Sequence, residues 1–175
     1  MATHQIGPET GMLVLRTTRQ GLAAQVGHDL TIEIARWSGT VTMGDQTTFE
    51  LTAELGSLRV LSGTGGVKPL SERDKREIAK NAAKTLQIDT YPELRFVSEQ
   101  VTATGDVAGS CTLHGTERPQ RLEIMSLGND RYRATGTIVQ SEFGIKPYSG
   151  MFGALKVADE VSIEAEVDLS ASDRP

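Results

Sequence analysis

Three histidines, one cysteine and a glycine-rich loop are the parts of this 175-residue sequence best equipped for chemistry. His28 in "VGHDL" and His114 in "LHGTERP" are distant in the chain but could meet across a barrel. Asp29 or Glu142 would then complete a metal or acid–base site. No histidines share the i, i+4 spacing of a helical metal site, and Cys111 alone cannot build a zinc knuckle. Structural histidines hydrogen-bonded at strand ends are the simpler account. "SGTGGVKP" (Ser62 to Pro69) invites a phosphate loop, but Val67 separates Gly66 from Lys68 and Pro69 follows. The dinucleotide fingerprint fails as well, because Lys68 holds its last glycine position. No serine sits in G-x-S-x-G. Glu33, Glu50, Glu54 and Glu123 alternate with apolar neighbours, as a solvent face demands. No catalytic residue, metal ligand or cofactor is expected.

Lys and Arg number 18 against 23 Asp and Glu, a net charge of −5. That balance argues against nucleic-acid partners and against electrostatic docking on anionic membranes. The single cysteine excludes an internal disulfide and marks no oxidising compartment. The start, "MATHQIGPETG", lacks a basic segment followed by an apolar one, so the expectation is no signal peptide and a cytoplasmic protein. Apolar runs such as "MLVL" (Met12 to Leu15) are too short to span a bilayer, so no membrane insertion is expected.

The elements that would position these residues are mostly strands. "DLTIEIARW" sets Leu30, Ile32 and Ile34 on one face. "TTFELTAEL" does the same with Phe49, Leu51, Ala53 and Leu55, and "SLRVL" extends or restarts it. "VAGSCTLHG" alternates Val107, Gly109, Cys111 and Leu113 against the rest, and "EVSIEAEVDLS" aligns Val161, Ile163, Ala165, Val167 and Leu169. "GND" at Gly128 to Asp130 reads as a hairpin turn. Between Ser71 and Gln87 the period changes, with Ile78, Ala79, Ala82, Ala83 and Leu86 forming a narrow alanine-rich helical stripe. Ser71 is suited to cap that helix, with Asp74 at its third position. The count is about eight strands at hairpin spacing with one helical insert (71–87), an all-β antiparallel sheet or closed barrel. An eight-stranded barrel holds either its own side chains or one small ligand, and composition leaves the two equal.

Several segments resemble the YceI-like, polyisoprenoid-binding, lipocalin-like family. "SERDKREIAKNAAKTLQIDTYPELRFVSEQV" is similar to its hallmark through Arg73, Asp74, Tyr91, Pro92, Phe96 and Ser98. "GSCTLHGTERPQRLEI" matches through Gly109, Leu113, Gly115, Pro119 and Leu122, and "GTIVQSEFGIKP" through Ser141, Glu142, Phe143 and Gly144. The frequent arginine ahead of that last motif is Gln140 here. The resemblance covers about residues 27–169 of a single domain spanning 1–175.

What the resemblance implies is an eight-stranded antiparallel lipocalin-like β-barrel with one helix near one end, often a homodimer. Its function would be non-enzymatic carriage or sequestration of a polyisoprenoid or similar long-chain amphiphile. Candidate lining residues are Ile32, Ile34, Phe49, Leu51, Phe96 and Leu113, followed by Ile138, Phe143, Met151, Phe152 and Leu155. His28, Arg73 or Lys146 would meet a polar head near an opening. The segment "FGIKPYSGMFGAL" (Phe143 to Leu155) becomes a wall or flap at the tunnel mouth, against the alternative of a packed loop. The competing functions are a stress-related interaction module with a filled barrel and a metal-dependent enzyme around His28 and His114.

Overall fold

A computed structural model describes residues 1–171. The first half of the chain forms β1 (Ala2–Ile6), β2 (Gly11–Thr17), β3 (Arg19–Gln20), β4 (Asp29–Ile34), β5 (Trp37–Met43), β6 (Thr48–Glu54) and β7 (Leu58–Thr64). The helix α1 (Glu72–Leu86) follows, then β8 (Glu93–Ser98), β9 (Asp106–Leu113), β10 (Thr116–Gly128) and β11 (Arg131–Val139). The chain ends with β12 (Ser149–Gly150), β13 (Leu155–Val157) and β14 (Glu160–Asp168).

Eleven strands make one antiparallel sheet in the order β1-β5-β6-β8-β9-β10-β11-β14-β2-β4-β7, curled into a half-barrel. A second sheet, β12-β13-β3, is a small flap beside it. The expected eight strands are therefore not what forms. Two long segments, 29–43 and 48–64, each break at a corner, and β1 adds a margin. At the corner the ladder is replaced by Ala35 N–H donating to Ser57 O (3.2 Å) and Glu54 N–H to Arg36 O (3.0 Å). Ser57, buried, accepts from Arg36 N–H at 2.9 Å. This bent double strand joins the two margins of the sheet, since β4 lies near one end of the order and β5 near the other.

Inward residues follow the alternation of each strand. Leu13, Ile34, Trp37, Leu51, Ala53, Leu94, Phe96, Val107, Cys111 and Leu113 are buried in one continuous core. Two hairpins turn through left-handed pairs, His114–Gly115 (φ 54° and 69°) and Asn129–Asp130 (φ 53° and 56°). Such paired positive φ values give the turn whose twist matches the flanking strands.

The helix begins where Ser71 Oγ accepts from Asp74 N–H (3.1 Å) while Ser71 N–H donates to Asp74 Oδ2 (2.9 Å). This reciprocal pair satisfies two of the amide donors a helix start leaves open. The helix ends at Gln87 in left-handed backbone, whose N–H reaches the Ala83 and Lys84 carbonyls. At 15 residues it is about 22 Å long. It packs over β7, yet none of its residues is fully buried. Its apolar stripe faces a hollow instead of a filled core.

Candidate functional site

That hollow is a cavity of about 310 Å³ between α1 and the curled sheet. Ile78, Asn81, Ala82, Thr85 and Leu86 face it from the helix, and Leu15, Leu30, Ile32, Leu58, Leu94, Leu113, Ile138 and Val161 from the strands. At its mouth stand Arg19, Val26, Gly27, His28, Tyr148 and Leu155 to Val157. Ala82 stands at the middle of that helix face, where its methyl group covers the space without filling it. Thr17 also lines the cavity, and its Oγ1 is buried without a hydrogen-bond partner. An unpaired buried hydroxyl costs roughly 1–3 kcal/mol, so this group is primed to accept a partner.

The curled sheet has a second hollow beyond the reach of α1, about 470 Å³, lined by Ile6, Val41, Met43, Phe49, Ile124, Tyr132 and Val167 among others. Between the two lies a packed waist with a residual void of about 50 Å³. There the Phe49 and Phe96 rings meet with centroids 5.3 Å apart. A Cβ at Gly109 would sit 2.4 Å from Phe96 Cζ, so only glycine leaves room for that ring against β9. Cys111 is buried in the waist, and burial pushes its thiol pKa up to about 11, leaving it protonated and unreactive at neutral pH. A further hollow, about 630 Å³, is a groove of mixed polarity where β10 and β11 part at Leu122. Gln120 bridges that gap by donating to Arg121 O (3.0 Å) and Thr137 O (2.9 Å). The groove's walls mix Val107, Leu122 and Ile163 with Arg16, Asp106, Arg121, Glu123 and Glu164, whereas aliphatic side chains dominate the helix-covered cavity, which is the stronger site despite its smaller volume.

The sequence-derived candidates divide sharply. Ile32, Leu113, Ile138, Leu155 and His28 line the helix-covered cavity. Phe49 and Leu51 line the far cavity and the waist, and Phe96 the waist. Ile34 and Phe143 are buried in the core and line none of these spaces. Arg73 and Lys146 are exposed and line none either. Met151 and Phe152 point away from the cavity, at 56% and 113% exposure, because both have left-handed backbone (φ 49° and 55°) that turns their side chains outward. The segment Phe143 to Leu155 is thus neither a plain flap nor a plain packed loop. Phe143 and Ile145 pack inside, Tyr148 and Leu155 edge the cavity, and the tip faces solvent.

The two histidines do not meet. His28 Nε2 lies 2.8 Å from Lys68 O, beside the approach to the helix. His114 sits at the helix C-terminal end, its ring nitrogens 3.2 Å from Phe143 O and 3.2 Å from Gln87 Oε1, its ring against Tyr91. Among the described residues no group of three or more His, Cys, Asp or Glu is placed to hold a metal ion. Thr17, Leu15, Leu58 and Tyr148, and Ile78, Ala82 and Leu86 of the helical stripe, line the cavity as well, although no motif or resemblance singles them out as site residues.

A model of the YceI-like domain matches residues 14–169. Over 89 residues, 43% of the chain, the sequence is 37% identical to a UPF0312 protein of Pseudomonas putida, covering 45% of that protein. A UPF0312 protein of Pseudomonas syringae pv. syringae matches equally, 37% over 89 residues with the same shares of 43% and 45%. The matched stretch therefore spans less than half the length of these curated relatives. The fold is similar to that of a Campylobacter jejuni YceI protein, with a TM-score of 0.56 over 78% of this chain and 81% of that one, at 13% identity. A crystal structure of a mutant YceI protein with a monobromobimane guest gives a TM-score of 0.57 at the same coverage and identity. No helix among the described residues is long and apolar enough to cross a membrane.

Proposed function

This chain belongs to the YceI-like family, and on that premise we propose that it binds a long apolar chain, a polyisoprenoid or similar amphiphile, without chemical turnover. The observation that carries the reading is the apolar cavity between α1 and the sheet. Each methylene placed there contributes about 0.8 kcal/mol, so a long chain needs few polar contacts. A polar head near the mouth would pair Thr17 Oγ1 and meet His28 or Arg19. The far cavity lies in line beyond the waist and offers room for the chain's other end if the Phe49 and Phe96 rings shift. A cytoplasmic setting belongs to this reading, supported by a single buried, unpaired cysteine, and fractionation of the producing cells checks it.

The experiment is solvent extraction of the purified protein followed by mass spectrometry, with uptake of prenols and quinones measured on the delipidated chain. Co-purifying lipid or stoichiometric prenol uptake supports the proposal. A protein that yields no lipid and takes up neither class overturns it. The packed waist favours the second reading, an interaction module filled by its own side chains, and that negative result would leave it standing.

A further inference from the structure

Every lysine of the chain lies in three segments, residues 19–29, 65–87 and 144–158, which surround the mouth of the helix-covered cavity. These 49 residues hold nine of the 18 Lys and Arg but four of the 23 Asp and Glu, a local charge of +5. The remainder carries nine cations and 19 acids, a charge of −10. Pairing differs as much as number. Six arginines of the barrel wall meet carboxylates across strands, Arg16 with Glu164, Arg36 with Glu54, Arg59 with Glu33, Arg95 with Glu50, and Arg131 and Arg133 with Glu166. Of the nine cations at the mouth, Arg19 and Lys75 alone make ion pairs among the described residues, with Asp29 (4.0 Å) and Glu72 (3.0 Å).

The same end carries exposed apolar side chains on three loops. Leu22, Val67, Met151 and Phe152 are exposed, Leu22 at 97%. The loops are fastened together, with Ala23 N–H donating to Ala154 O (2.8 Å), Arg19 Nη1 to Gly27 O (2.8 Å) and Thr64 O (3.0 Å), and His28 Nε2 at 2.8 Å from Lys68 O. Phe152 stands outward on left-handed backbone that costs a non-glycine residue about 1–2 kcal/mol, a cost unrewarded by any burial within the chain.

We propose that this end docks peripherally on an anionic lipid bilayer, with Leu22, Val67, Met151 and Phe152 entering the headgroup layer. The unpaired cations would face the lipid charge. Separate apolar tips set among lysines suit a soft interface, whereas a protein partner would need one continuous complementary patch. The net charge of −5 conceals this surface because it averages two oppositely charged regions. Docking does not depend on what the cavity holds.

The test is co-flotation of the full chain with vesicles of phosphatidylcholine alone or of equal parts phosphatidylcholine and phosphatidylglycerol. Binding to the anionic vesicles should exceed that to the neutral ones by about tenfold or more and fade near 1 M salt. Leu22→Ser with Phe152→Asn should weaken it about tenfold with the melting temperature unchanged, since both side chains are in solvent. Lys146→Glu with Lys80→Glu should weaken it further. Phe152→Trp should show a blue-shifted emission on adding anionic vesicles, over the constant background of buried Trp37. Equal binding to both vesicle types, no binding, or variants that bind as the parent does would each overturn the proposal. So would concentration-dependent self-association in solution that the Leu22 and Phe152 changes abolish, which would assign the patch to a second copy of the chain.

Discussion

The waist and the helix-covered end share β2, β8, β9, β11 and β14, yet one is filled and the other hollow. At the waist the Phe49 and Phe96 rings meet Gly109, Cys111, Ala134 and Ala165, so large side chains lie over minimal ones and fill the space. Under α1 the inward positions are medium-sized aliphatics, and the helix supplies Ala82 between Ile78 and Leu86, so no ring from helix or strands crosses the space. A core is thus filled where large residues face small ones. It stays open where medium ones face a thin roof.

The largest expected effect lies at the waist. Phe96→Ala should cost about 3–5 kcal/mol in urea unfolding, because the ring is buried and its neighbours cannot collapse onto the space. A loss under about 1 kcal/mol would mean that the waist is no better packed than the cavities. Next comes Ala82→Phe, which puts a ring into the helix-covered cavity. It should lower prenol uptake about tenfold or more while leaving the melting temperature nearly unchanged, whereas Val41→Phe in the far cavity should leave uptake of a two-isoprene prenol intact. Equal loss from both would erase the distinction between the two ends.

Smaller effects test how the roof is held. Ser71→Ala removes one half of the reciprocal cap and should cost about 1 kcal/mol, seen as faster amide exchange in the first turn of α1. The Ser71 N–H holds the Asp74 carboxyl below its ordinary pKa of 3.8. A carboxyl lowered in the folded state stabilises above its unfolded pKa and loses that contribution as pH falls through the folded one. Protection of the first-turn amides, taken relative to intrinsic exchange at each pH, should therefore fall below about pH 4, and Asp74→Asn should remove that pH dependence. An unchanged acid profile in that variant would place the sensitivity elsewhere, for example at Glu166, whose pKa Arg133 and Arg131 also lower.

Much of the β architecture was legible because burial on one side imposes a period of two. Val107, Cys111 and Leu113 are inward as their alternation required, and the turn at Gly128 to Asp130 forms where its residue types placed it. The strand count failed for a physical reason. Alternation can continue through a corner, so nothing in "DLTIEIARW" announces that pairing changes at Ala35, and β1 has a single fully buried residue, Ile6, to betray it. Among the candidate lining residues, Ile32, Leu113, Ile138 and Leu155, proposed from apolar pattern and family resemblance, stand on the helix-covered cavity. Met151 and Phe152 were misplaced because apolar type predicts burial, and two left-handed backbone positions override it.

By itself the sequence determined a β-rich domain, one capped helix at about residues 71–87, observed as Glu72–Leu86, and the family. Those depend on local periodicity, on a cap spanning three residues and on motifs read in order. Only the tertiary structure decided that the sheet has eleven strands, that its interior is hollow at both ends of a packed waist, and that the lysines gather at one mouth. Pairing, cavity volume and charge segregation all arise between residues far apart in the chain, and folding alone brings those residues together.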